Sequence, residues 1–249
     1  MIYLLQKYLY NAFAHYTIKN RIEYLKLILR IRKPTNIKKQ TGNYIISNTY
    51  IISLQDHINR RESFLKHLIA ERKKFSFIKA IEGKTPYYKD IPISRRSYNY
   101  LNKGSIGYWL SHYKTWAIAL NQHNNCSIIF EDDIVLVDNF YEKLDKAIKI
   151  IPNDFDILYL NSGNKQMRNY RYIVNSIFFI PYQIRNGAYA YVISRSGIDK
   201  LMHYVPGVRV TRGGIDSAIG ALIRNNMINA YHLIDPLCWV NFSYVSSTK

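Results

Sequence analysis

Cysteine is nearly absent. Cys126 and Cys238 are the only two in 249 residues, far apart and at no metal-ligand spacing. A disulfide-stapled scaffold is thereby excluded, and two isolated thiols in a chain this size read better as reduced and buried than as a bridge. Glycine (11) and proline (7) are scarce, and no low-complexity tract or internal repeat is present. Long apolar runs are missing too. The N-terminal MIYLLQKYLYNAFAHYTIKNR is broken by Lys7, and its next stretch without formal charge, Tyr8 to Ile18, falls far short of the ~20 apolar residues a membrane span needs. No charged region precedes the first apolar run, so a secretory signal is not expected and the chain is assigned to the cytoplasm. Acids are the last shortage: 17 Asp and Glu stand against 35 Lys and Arg, a formal charge of +18. That imbalance is silent about fold but implies an anionic partner, whether nucleic acid, a membrane surface or a phosphorylated substrate.

Apolar residues make up 48% of the chain and tyrosine alone contributes 23, enough for a sizeable core and against wholesale disorder. The length suits one large domain or one domain with an appendage. Lys and Arg crowd residues 1–43 against the single acid Glu23, and apolar residues recur there every three to four positions, as at Leu5, Leu9, Ala12 and Tyr16. This predicts a basic, amphipathic helical N-terminal extension, with KPTNIKKQTGN (33–43) as a basic linker. We divide the chain into this extension (1–47) and a main domain (48–249). Two readings fit the extension: a surface helix pair whose charges are solvated, or an interfacial anchor on anionic lipid, each basic residue contributing ~1 kcal/mol.

From residue 50 onward strands and helices alternate. YIISL (50–54), FSFIKAI (75–81), SIIF (127–130), FDILYLNSG (155–163) and GAYAYVIS (187–194) read as strands. INRRESFLKHLIAER (58–72), GSIGYWLSHYKTWAIALNQ (104–122), NFYEKLDKAIKII (139–151), SGIDKLMHYV after an N-capping Ser194, and GIDSAIGALIRNN (214–226) read as helices. Such alternation predicts an α/β fold with a mostly parallel sheet. Ligands of these sheets bind at the carboxyl ends of strands. Ser53 to Asp56, Ala80 to Gly83, Asn161 to Gly163 and the acids Glu131, Asp132 and Asp133 all sit at such ends.

The acids are the informative cluster. Three adjacent carboxylates at the end of a buried strand repel one another, and one would take up a proton unless compensated. A hard divalent cation, Mg2+ or Mn2+, removes the conflict and bridges to phosphate oxygens. Acids placed to complement a helix dipole are the alternative, which suits one or two carboxylates better than three.

Four segments in this order resemble glycosyltransferase family 25, the lipooligosaccharide galactosyltransferase type: YIISLQDHINRRESF (50–64), FSFIKAIEGK (75–84), LNKGSIGYWLSHYKTW (101–116) with IIFEDDIVL (128–136), and GAYAYVISRSGIDKL (187–201). The resemblance implies a GT-A-like nucleotide-sugar-binding fold, a sugar-diphosphate donor, a divalent metal and inversion at the anomeric carbon. It implies that Glu131 and Asp133 match the outer positions of a D-x-D-like motif and Asp132 the middle one, Asp133 being the foremost metal ligand and His232 the candidate to complete the shell. It further implies donor contacts at Ser111 and His112, and nucleobase contacts at Ala80, Ile81 and Glu82. Arg60 and Arg61 either approach the diphosphate or are solvated helix charges. Asp216, after two glycines in RGGIDSAIG, is the candidate general base, or else a helix-start cap. Trp109 and Trp116 read as core. The match departs at Ser105 and Tyr108, where members of that family usually carry Glu and Cys.

The function so implied is transfer of a hexose, galactose from UDP-galactose first, to a sugar hydroxyl of a lipid-linked oligosaccharide in lipooligosaccharide or lipopolysaccharide biosynthesis. The enzyme would lie at the inner face of a bacterial membrane, the basic N-terminal segment on anionic lipid, with no nucleic acid bound. The rivals are a basic nucleic-acid-binding protein, although no recognition motif appears, and a metal-dependent phosphohydrolase or nucleotidyltransferase, which needs the same acids.

Overall fold

In the computed structural model, residues 41–70, 74–83, 91–121, 126–161, 170–181, 187–241 and 243–244 are described. Of the basic extension and linker expected over residues 1–47, residues 1–40 lie outside them. Residues 41–47, assigned from sequence to the extension and its linker, join the domain: Gly42 N–H donates to Ile151 O at 2.9 Å, the Tyr44 hydroxyl to Asn153 O at 2.5 Å, and Ile46 opens the first strand.

The chain opens with β1 (Ile46–Ser53), α1 (Ile58–Ala70) and β2 (Ser76–Lys79). A short helix α2 (Arg95–Tyr100) precedes the long α3 (Lys103–Leu120), which Asn102 caps by accepting the Ser105 N–H at 2.7 Å. Next come β3 (Cys126–Glu131), β4 (Ile134–Leu136), α4 (Phe140–Ile148) and β5 (Ile157–Tyr159). A hairpin of β6 (Tyr170–Ile173) and β7 (Phe178–Pro181) leads to β8 (Ala190–Ser194) and α5 (Arg195–Tyr204), where Ser194 caps the helix by accepting the Gly197 N–H at 3.0 Å. A 3-10 turn, α6 (Ile215–Arg224), β9 (Ala230–Leu233) and β10 (Cys238–Val240) follow. Among the described residues no helix is long and apolar enough to cross a membrane.

Eight strands form one sheet in the order β2-β1-β3-β8-β5-β9-β7-β6. β1, β2, β3, β5, β9 and β6 run one way, and β8 and β7 run against them. The sheet is thus mostly parallel, with two reversed strands that the alternation of strands and helices does not announce.

Both faces are covered. Ile129, Ile157 and Tyr191 pack with Trp109 and Trp116 of α3, Leu201 of α5 and Leu222 of α6. Ile128, Phe130, Leu158 and Val192 pack on the other face with Phe140 and Leu144 of α4 and Phe64 of α1. Two-sided burial is why SIIF is an unbroken apolar run rather than an alternating one. Each fully buried side chain of this size contributes roughly 1.5–3 kcal/mol.

The register sets the site. Ile52 pairs Glu131, and Ser53 pairs Lys79, so β1, β2 and β3 end level with one another. Phe130 pairs Ala190, so the reversed β8 begins at that same edge, with Tyr189 beside it. β10 pairs antiparallel with β4, Val240 opposite Ile134, which brings the C-terminal segment alongside the turn after β3.

Candidate functional site

At this edge lies a cleft of about 830 Å3. Its walls come from the segment after β1 (Ser53, His57, Arg60), the turn after β2 (Ala80, Ile81, Glu82, Gly83), α3 (Ser105, Tyr108, Ser111), the acids after β3, Tyr189, Asp216 and the segment after β10 (Asn241, Tyr244).

The acids divide by direction. Asp132 is buried and fastened: its Oδ2 accepts from Ser53 Oγ at 2.6 Å and meets His57 Nδ1 at 3.0 Å, while Oδ1 meets Arg60 Nη1 at 3.4 Å. Its carboxylate anchors the loop after β1. Glu131 Oε1 accepts from the Tyr108 hydroxyl at 2.9 Å. The Oδ1 of Asp133 is buried and without a hydrogen-bond partner. Burial, then the charges of Asp133 and Asp216, raise the Glu131 carboxyl well above its ordinary range, the Tyr108 hydrogen bond opposing. Burial and then Asp132 raise that of Asp133, with Arg60 and His57 opposing.

Asp216 stands opposite, in the first turn of α6, and is not a cap for its own helix. Its Oδ1 lies 3.1 Å from the Tyr108 hydroxyl, whose one proton it shares with Glu131, and accepts from Ala188 N–H at 3.1 Å, while its Oδ2 accepts from Gly187 N–H at 3.3 Å. Burial raises its carboxyl, and these donors oppose the shift.

The wall after β2 is pinned by α3. Ser111 Oγ accepts the Ile81 N–H at 2.8 Å and donates to Gly107 O at 2.7 Å. The approach requires glycine on both sides: a Cβ at Gly83 would fall 1.4 Å from Lys103 O, and one at Gly107 would fall 2.3 Å from Ile81 O. Ser111 therefore shapes the wall that carries Ala80, Ile81 and Glu82. Arg60 lies in the cleft, its guanidinium 4.9 Å from the centre of the Tyr244 ring.

Three of the expected site residues do not line the cleft. Arg61 donates to Ser53 Oγ at 3.2 Å, to Gln55 O at 2.7 Å and to Leu54 O, so its guanidinium clamps the β1 loop and does not line the cleft. His112 is fully buried behind the wall, its Nδ1 2.9 Å from the Tyr191 hydroxyl, and burial lowers it to about 3. His232 stacks on Phe179 at 4.8 Å and bonds its neighbour's Leu233 carbonyl. It sits on β9, three strands from β3 in the sheet, fully buried and outside the lining of the cleft. The sequence motifs do not single out His57, Asn241 or Tyr244, and they mark Tyr108 only as a departure from the family pattern. The one available signal was for His57, placed like Asp56 just beyond a strand end.

Among the described residues no three His, Cys, Asp or Glu side chains form a ready-made metal cage. The donor set still fits a hard cation. Glu131 and Asp133 both face the cleft, both resist carrying charge, and Asp133 holds an unpartnered buried oxygen. A cation held by two carboxylates leaves positions for phosphate oxygens and water, as Mg2+ and Mn2+ prefer.

The chain is 25% identical over 171 residues to human procollagen galactosyltransferase 2, covering 61% of this chain and 27% of that one. It is 28% identical over 189 residues to a bovine protein named probable inactive glycosyltransferase 25 family member 3, covering 68% and 30%. To a putative glycosyltransferase of Haemophilus influenzae it is 33% identical over 122 residues, covering 47% and 43%. The chain thus spans less than half the length of each. Residues 46–215 match the profile of Glycosyltransferase family 25 (LPS biosynthesis protein), which is most of the described domain, and the chain belongs to that family.

Proposed function

We propose that this chain is an inverting glycosyltransferase that moves a hexose, galactose from UDP-galactose first, to a sugar hydroxyl of a lipid-linked oligosaccharide. The observation that carries the reading is the pair Glu131 and Asp133 at the end of β3, turned into a cleft large enough for a nucleotide sugar, in a chain of this family. Galactose follows the name of the human relative, and the glycolipid acceptor follows the family's description.

Asp133 and Glu131 would hold a divalent cation, which when bound neutralises charge developing on the leaving diphosphate. Arg60 adds a fixed positive charge on the same side of the cleft, backed by Asp132. The wall at Ala80, Ile81 and Glu82 supplies a surface for the nucleoside. Asp216 accepts the acceptor hydroxyl's proton as that oxygen attacks C1 on the face opposite the leaving diphosphate. Burial raises its affinity for protons above that of a free carboxyl, which is the direction a general base needs.

The test is calorimetric titration of UDP-galactose, UDP-glucose and UDP into the full chain, with and without Mn2+, alongside turnover. Metal-dependent binding is expected, lost in Asp133→Ala. Asp216→Asn should keep donor binding and lose turnover by about 10^2-fold or more. Absence of UDP binding under every condition would overturn the reading, and water as the only acceptor would favour a phosphohydrolase. A lipid-linked acceptor would put the enzyme at the inner face of a bacterial membrane, with the basic segment 1–47 meeting anionic lipid. Equal binding to anionic vesicles with and without residues 1–40 would remove that assignment.

A further inference from the structure

We propose that Tyr108 is a positioning residue that ties the base to the donor-holding acids. This rests on the transferase reading above. The single phenolic oxygen meets Glu131 Oε1 at 2.9 Å and Asp216 Oδ1 at 3.1 Å. Glu131 belongs to the central strand β3, and Asp216 to α6, 85 positions later in the chain. No other described side chain bonds to both, so the separation between the group that takes the acceptor's proton and the group that holds the donor is set through one oxygen.

The phenol itself is held in direction. Its ring packs edge-on against His112, with centroids 4.7 Å apart and planes at 83°. His112 is fixed in turn through Nδ1 by the Tyr191 hydroxyl at 2.9 Å, which also accepts from Trp116 Nε1 at 2.8 Å. On its other side Gly214 lies so close that an added Cβ would sit 3.3 Å from Tyr108 Cδ1. The Ser-His pair of α3 thus acts at one remove: Ser111 shapes the nucleoside wall and His112 aims Tyr108. A packing role alone would need the ring but not the hydroxyl, and the hydroxyl is what both acids meet.

Tyr108→Phe separates the two roles, since it keeps the ring and the His112 contact. The first readout is hydrogen exchange at the Gly187 and Ala188 amides, whose partner is Asp216. These amides should exchange at least about five-fold faster in the variant, with the thermal midpoint of the whole chain unchanged, because a looser Asp216 opens that loop locally. The second readout is kinetic: kcat should fall about ten-fold or more while the donor KM stays within about two-fold, the pattern of an interaction needed in the transition state and not for binding. Unchanged exchange at both amides overturns the proposal whatever the activity. Faster exchange with unchanged kcat also overturns it. Faster exchange in a chain whose wild type transfers no hexose would leave the positioning role standing and sink the transferase reading. If Tyr108→Phe fails to fold, His112→Gln, which removes the edge-on ring from behind Tyr108, is read by the same two measurements with the same expected directions.

Discussion

Asp133 shows what it costs to keep a binding site ready. Burial and the neighbouring Asp132 charge raise its carboxyl above the ordinary 3.8, so the folded chain holds a proton there more tightly than the unfolded chain does. The stability this contributes is complete below the unfolded value and is lost as pH rises through the folded one. Above the folded-state value the wild type without metal carries a buried charge beside other acids, and Asn at this position carries none. In metal-free buffer at pH 8, Asp133→Asn should therefore be more stable by about 1 kcal/mol, a rise in thermal midpoint of about 2–4 °C. The gain should shrink toward zero as pH is lowered toward 4. Thermal scans across that range decide it, and a gain that grew on acidification would contradict the assignment. The exposed Glu142–Lys146 pair offers no such leverage, because solvent screens it. At this scale the sequence was readable where residues are neighbours: Glu131 and Asp133 could be singled out because they flank one strand end. The contact of Tyr108 with Asp216 and the three acceptors of Arg61 join residues that only the folded chain brings together. The place of His232 in the sheet order is likewise invisible in a list of residues.

Among elements, the meeting of α3 with the turn after β2 governs the nucleoside wall. Backbone touches backbone there, at Gly83 over Lys103 O and at Gly107 over Ile81 O, and no flexible side chain can yield. Gly107→Ala leaves α3 a better helix on propensity alone, by up to about 1 kcal/mol. The collision must nevertheless displace the wall, and we expect a net loss of about 2 kcal/mol. Donor affinity should fall with it, since Ile81 and Glu82 move and the Ile81–Ser111 bond is broken. Denaturant unfolding and UDP titration of the variant check both halves, and an intact wall with unchanged affinity would mean that the turn is free to shift. The main helices and the central strands were legible because their apolar patterns are long. β4 and β10 are three residues each, too short for any period to show, and β8 was legible as a strand but not in its direction, which depends on partners.

For the whole molecule, the family match and the site do not share a boundary. The match ends at residue 215, yet Asp216, Asn241 and Tyr244 complete the cleft and β9 sits inside the sheet between β5 and β7. A chain ending at Ile215 would expose the edges of β5 and β7 and lose α6 from the apolar face of α3, so it should show no cooperative unfolding transition. A chain ending at Val240 is the sharper test. It keeps every strand, including the β10–β4 pair, and should unfold within about 2 °C of the full chain. It lacks the Asn241 N–H that holds the Asp133 carbonyl at 2.7 Å and the Tyr244 ring that covers Arg60. Both losses fall on the side of the cleft proposed to hold the donor and none on Asp216. Donor affinity should therefore drop about ten-fold, the worth of one hydrogen bond to a fixed turn plus one cation–π contact, while kcat at saturating donor is nearly kept. Equal donor affinity in the two chains would show that the turn after β3 holds its shape without the C-terminal segment. A loss confined to kcat would move that segment to the acceptor side.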